Sequence, residues 1–110
     1  MLAAEFEPAD APGRRRAARA AVSIDARVHH DGLTRALCRV VDLSVHGVRL
    51  ETYSALRRGA MIWLTLPHVG QVIADVAWAT DFAAGCEFRT ALTQESFDAL
   101  IELDGSLQHH

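Results

Sequence analysis

The sequence predicts a mainly β domain: an antiparallel barrel of six short strands closed by one carboxy-terminal helix. Three observations carry this prediction. Apolar residues alternate with polar ones at period two through most of the chain, turn residues punctuate that alternation at regular intervals, and the period lengthens to helical spacing only after Leu92. At 110 residues the chain has the size of one domain with one modest core, and half of its residues are apolar.

The first strand is read from Val22, Ile24, Ala26 and Val28, which alternate with Ser23, Asp25 and Arg27. His29-His30-Asp31-Gly32 supplies a turn. A second strand is expected over about residues 33–42 and a third over 47–53, where Val48 and Leu50 alternate with Arg49 and Glu51. Residues 54–59 form a loop with Arg57 and Arg58 exposed, and Ile62, Leu64 and Leu66 mark a fourth strand ending at the turn Pro67 to Gly70. Val72, Ala74, Val76 and Trp78 mark a fifth, whose parity assigns Trp78 to the core; Ala84, Cys86 and Phe88 mark the sixth. Phe97, Leu100 and Ile101 then follow helical spacing, with Thr93 as N-cap and Glu95 in the first turn. Six strands and one helix suit a barrel with the helix packed on or across its end.

Residues 1–13, acidic and rich in alanine and proline, read as a flexible arm, residues 14–104 as the barrel domain with its helix, and 105–110 as a tail. A net charge of −3 argues against a protein that holds long nucleic acid by bulk charge. Positive charge is instead local, in Arg14, Arg15, Arg16 and Arg19, which favours a small anionic ligand. Two cysteines, Cys38 and Cys86, lie in apolar strand-like runs and are expected to be buried thiols. The sparse cysteines, the lack of a signal-like segment and the absence of any run of roughly 18–20 apolar residues give the expectation of a cytoplasmic protein without membrane insertion.

Two motifs carry the chemistry. Arg15 and Arg19 form R-x-x-x-R, and Asp42-Leu43-Ser44-Val45-His46-Gly47 forms D-x-S-x-x-G. Each guanidinium fork can take a phosphate or the O6/N7 edge of guanine in bidentate fashion. In an extended segment their Cα atoms lie up to roughly 13–14 Å apart, which is dinucleotide scale. Asp42 can accept from guanine N1–H and N2–H, Ser44 offers a hydroxyl, and Gly47 permits close approach of backbone. Asp, Ser and Gly also favour turns for reasons of their own, so the second motif gains its meaning from the first.

In their order, with a strand between them and Gly85-Cys86-Glu87-Phe88 as a late G-x-x-F stretch, these residues resemble the PilZ family of bacterial second-messenger receptors, over about residues 12–104. The resemblance implies a PilZ-like six-stranded barrel that binds cyclic di-GMP through Arg15, Arg19, Asp42, Ser44 and Gly47, with Arg14, Arg16 and His46 as further candidates. It implies a loop that folds over the ligand and a signal passed to a downstream protein that the chain does not identify. The competing expectation is a PilZ-like adaptor that binds protein alone; a nucleic-acid-binding barrel is a third.

Enzymatic activity is not expected. There is no nucleophile elbow, paired-carboxylate motif or phosphate-binding glycine loop, and Ser44 has only His46 as a candidate base. No C-x-x-C or H-x-x-x-H spacing suggests a metal site, and no cofactor is expected beyond the ligand itself.

Overall fold

The computed structural model describes residues 19–29 and 35–108, with side chains through 104. Six strands follow one another: β1 (Ala20–His29), β2 (Ala36–Leu43), β3 (Gly47–Thr52), β4 (Met61–Leu66), β5 (Gly70–Ala79) and β6 (Ala83–Phe88). They close into an antiparallel barrel in the order β1-β2-β3-β6-β5-β4, with β4 returning to pair with β1. Closure leaves no unpaired sheet edge, which is the usual remedy for a small all-β domain.

The alternation does what the sequence suggested. Val22, Ile24, Ala26 and Val28 of β1 point inward with Cys38 and Val40 of β2, Val48 and Leu50 of β3, and Ile62, Leu64 and Leu66 of β4. The turn at Pro67 to Gly70 is made by His68 (φ 63°) and Gly70 (φ 95°), both in the left-handed region.

The helix α1 (Gln94–Gln108) extends through residues 105–108, which the sequence assigned to a tail beginning at 105. Its N-cap is Thr93, whose Oγ1 accepts from Ser96 N–H at 3.0 Å, as expected for that position. Phe97 and Leu100 bury against the barrel core, and Ile101 packs at its margin. The register between β1 and β2 slips between Ala21 and Ile24, and nearby Ser23 N–H donates to the Asp104 carboxylate at 2.9 Å. A buried acidic residue of α1 thus satisfies a backbone group of β1 at the irregularity and ties the helix to the barrel.

Cys38 and Cys86 are both buried free thiols. Burial pushes the Cys38 thiol up to about 11, helped by the charge of Asp25, and the Cys86 thiol up to about 12, helped by Cys38 and Asp75. Such thiols ionise in the unfolded chain near 9 but not in the folded one, so the folded state loses stability as pH rises above about 9 toward 11–12. Iodoacetamide at pH 8 should leave both cysteines unmodified in the native protein and alkylate both in guanidinium, read by intact mass. Native alkylation would contradict their burial.

Candidate functional site

The loop of the second motif is a tight connection between β2 and β3. Ser44 N–H donates to the Gly47 carbonyl at 2.9 Å, and Ser44 Oγ accepts from His46 N–H at 3.2 Å. Ser44 is buried, and the contact that its hydroxyl makes is the one that shapes the turn. The segment after β6 holds the loop from behind: Phe88 N–H donates to the His46 carbonyl at 2.9 Å and Leu92 N–H to the Val45 carbonyl at 2.8 Å. A Cβ on Gly47 would overlap the Cys86 carbonyl oxygen, so the close approach at this glycine is made by β6 of the same barrel. The G-x-x-F stretch and the D-x-S-x-x-G loop are therefore two halves of one packed unit.

Asp42 owes its orientation to a bulge. Cys38 and Val40 face the core, and strict alternation would send Asp42 inward after them. Instead the β2–β3 register runs Val40↔Leu50 and then Asp42↔Arg49, leaving Val41 as the extra residue. One extra residue flips the parity, so Leu43 enters the core and Asp42 faces out. There it meets the one arginine of the first motif among the described residues. Arg19 Nη2 and Nε lie 2.8 and 3.2 Å from the same Asp42 oxygen, Oδ2. Arg14, Arg15 and Arg16, and the arm at 1–13, lie outside the described residues.

A second bulge corrects the expectation for Trp78. The β5–β6 register runs Val76↔Cys86 and then Trp78↔Gly85, with Ala77 the extra residue. Trp78 is thereby turned out of the core that its parity predicted and stands 43% exposed. Its indole lies over Gly85, where a Cβ would come within 2.9 Å of Cδ1 and overlap Nε1. Only glycine leaves room for the ring at that position.

Together the two bulges build one row across the outer face of five strands. Ala21 pairs with Asp42, Asp42 with Arg49, Arg49 with Gly85, and Gly85 with Trp78. At a strand spacing near 4.8 Å, Asp42 and Trp78 are about 14 Å apart along the row. The row offers an acceptor carboxylate, two guanidinium groups from Arg19 and Arg49, and an indole face. Beside it runs a second row, Gly47↔Glu87↔Asp75. Arg89 grips Asp75 through two hydrogen bonds of 2.8 and 2.9 Å, which hold its carboxyl below the usual range.

Arg49, Gly85 and Trp78 as members of one surface were missed by the sequence analysis. Arg49 was legible as an outward residue of β3, but its neighbours depend on register. Trp78 was hidden by its own parity.

Family membership follows from comparison. The model of the PilZ domain matches residues 13–103. The chain belongs to the PilZ domain family. Among solved structures, the inhibitor of motility MotI/DgrA of Bacillus subtilis superposes on this PilZ domain with a TM-score of 0.59 at 15% identity. That match covers 86% of this chain but 51% of that one, so the chain spans about half the length of the Bacillus protein. The PilZ domain of Escherichia coli YcgR, solved with c-di-GMP, gives a TM-score of 0.58 at 16% identity, covering 87% of this chain and 92% of that one. At such identities these likenesses establish the fold alone. Among curated proteins none matches this chain. Among the described residues of this PilZ domain no cluster of metal-ligating side chains occurs, and no helix is long and apolar enough to cross a membrane.

Proposed function

We propose that this PilZ domain is a receptor for cyclic di-GMP that relays ligand binding to a partner protein, and that it carries no catalytic activity of its own. The observation that carries the proposal is the outward row Asp42, Arg49, Gly85 and Trp78 with Arg19 paired to Asp42 at its end. Asp42 accepts from a guanine N1–H and N2–H. Arg19, joined by Arg15 of the same motif, contacts phosphate and the Hoogsteen edge of guanine. Trp78 presents an indole face on which a purine stacks. Ser44 and Gly47 act mainly by holding Asp42 and the loop in place, with Arg14, Arg16 and His46 at the margin.

Arg19 is already paired with Asp42 in this structure, so the ligand exchanges or shares that ion pair. Ordering of the segment that carries Arg15 around the ligand is the event a partner reads, and its entropic cost lowers the net affinity.

Isothermal titration with cyclic di-GMP, with GTP and linear di-GMP as controls, tests this function in the cytoplasmic range of salt and pH. Saturable binding of the cyclic dinucleotide alone is expected, and its stoichiometry tells whether Arg14 and Arg16 hold a second molecule. Trp78→Ala should weaken binding by roughly 5- to 100-fold, the range for one lost base stack, with unchanged far-ultraviolet circular dichroism. The exposed Tyr53 and Phe82 favour the second reading, a nucleotide-independent adaptor. Absence of binding to a folded protein would decide for it.

A further inference from the structure

The end of the barrel remote from Asp42 holds a second feature that the ligand reading does not use. The close of β1, the start of β2 and the close of β3 frame a shallow, open hollow with an enclosed volume of about 10 Å³, lined by Val28, Ala36, Leu37, Thr52, Tyr53 and Leu56 among others. Its rim is apolar and exposed: Leu37 is 46% accessible and Tyr53 77%. Phe82, 70% accessible, adjoins them, since its carbonyl accepts from Thr52 N–H at 2.9 Å. Apolar side chains exposed around one hollow are unusual for a surface that stays bare.

A second, independent observation lies inside. Thr52 is 5% exposed, and among the described residues its Oγ1 has no hydrogen-bond partner although the residue lines the hollow. A buried hydroxyl in that position carries its desolvation penalty uncompensated until something enters and pairs with it.

The surroundings are basic. Arg27 pairs with Leu37 across the β1–β2 ladder, Arg35 precedes Ala36, and Arg57 and Arg58 follow Leu56. All four are exposed, and none forms an ion pair among the described residues. Glu51 and Asp81 are the nearby carboxylates outside the Asp25–Arg39 pair. An occupant should therefore be apolar at its centre and acidic at its flanks.

The chain itself contains such a segment. Phe6 stands between Glu5 and Glu7, outside the described residues. Thirteen residue steps lead from it to Arg19, enough to span about 43 Å when extended, whereas the ten residues of β1 run about 33 Å. We propose that the Glu5-Phe6-Glu7 segment of this chain docks there. The Phe6 ring packs over the mouth of the hollow against the exposed Leu37 and Tyr53, Thr52 Oγ1 donates to a backbone or carboxylate oxygen of the segment, and the two glutamates face the arginines.

Nuclear magnetic resonance of the full chain tests this. Nuclear Overhauser effects from the Phe6 ring to Leu37 and Leu56 methyls are expected, and Phe6→Ala should shift the methyl signals of Leu37, Thr52 and Leu56. The core of the described barrel is formed without Phe6, so this variant leaves those residues in place. A synthetic peptide of residues 1–12, added to the full-length Phe6→Ala variant, should perturb the same methyls saturably. Its affinity should fall roughly three- to tenfold in a Thr52→Val background, as for one lost hydrogen bond. Reversing Arg57 and Arg58 to glutamate should weaken it and flatten its dependence on salt. Three results would overturn the proposal: methyl signals that ignore both Phe6→Ala and the peptide, contacts from Leu33 in place of Phe6, or Phe6 contacts that grow with protein concentration and so come from a second copy.

Discussion

Asp42→Ala should lower the affinity for cyclic di-GMP by about 100-fold or more while leaving the thermal transition nearly in place. The carboxylate faces outward on β2 and accepts from two donors of one guanine edge in the proposed complex. Hydrogen bonds to a charged group contribute about 1.5–3 kcal/mol each, so losing two exceeds the 2.7 kcal/mol or so that corresponds to 100-fold. Part of that loss is offset, because Arg19 no longer has to leave Asp42 to meet the ligand. Asp42→Asn is the sharper variant: it keeps shape but presents an amide N–H₂ to guanine donors, and a comparable loss is expected. Neither substitution removes core, and a solvent-exposed ion pair contributes at most about 1 kcal/mol. A Tm shift of more than several degrees, or binding that survives in both variants, would remove Asp42 from the site. Arg19→Ala should behave alike, with binding abolished and the fold intact.

Leu50→Ala should destabilise the domain by about 3–4 kcal/mol, the cost of emptying a leucine's place in a close-packed core. Leu50 is fully buried on β3, between β2 and β6, and is flanked along its strand by Arg49 of the outer row. Against a total stability of about 5–10 kcal/mol for a domain of this size, the loss is large. Chemical denaturation should show the midpoint moving with little change of slope. Leu50→Met, which conserves volume, should cost less than about 1.5 kcal/mol. Cyclic di-GMP binding by the folded fraction should persist in both, because the outer row is set by backbone register. Equal destabilisation by alanine and methionine would mean that Leu50 does not pack as described.

Much of the fold was written in the chain. Period-two alternation placed all six strands, because a strand of a closed barrel has one wet and one dry face and its side chains must follow. The cap at Thr93 and the spacing of Phe97, Leu100 and Ile101 placed the helix for an equally local reason. Strand β2 is described from Ala36, the expected start near residue 33 lying outside the described residues, and the helix runs on to Gln108 through positions that the sequence assigned to a tail. The motif residues Asp42, Ser44 and Gly47 were legible as types at fixed spacing, and that spacing makes the turn.

What the sequence determined by itself, then, is the count and type of elements and the local chemistry of each motif, since both depend on interactions within a few residues. The tertiary structure alone decided which outward residues become neighbours. Two bulges, at Val41 and Ala77, reverse the parity of Asp42 and Trp78, and only the closed order β2-β3-β6-β5 lays Asp42, Arg49, Gly85 and Trp78 side by side. A bulge is one residue without a partner, and whether a residue has a partner is settled across the sheet, by the ladder on the facing strand.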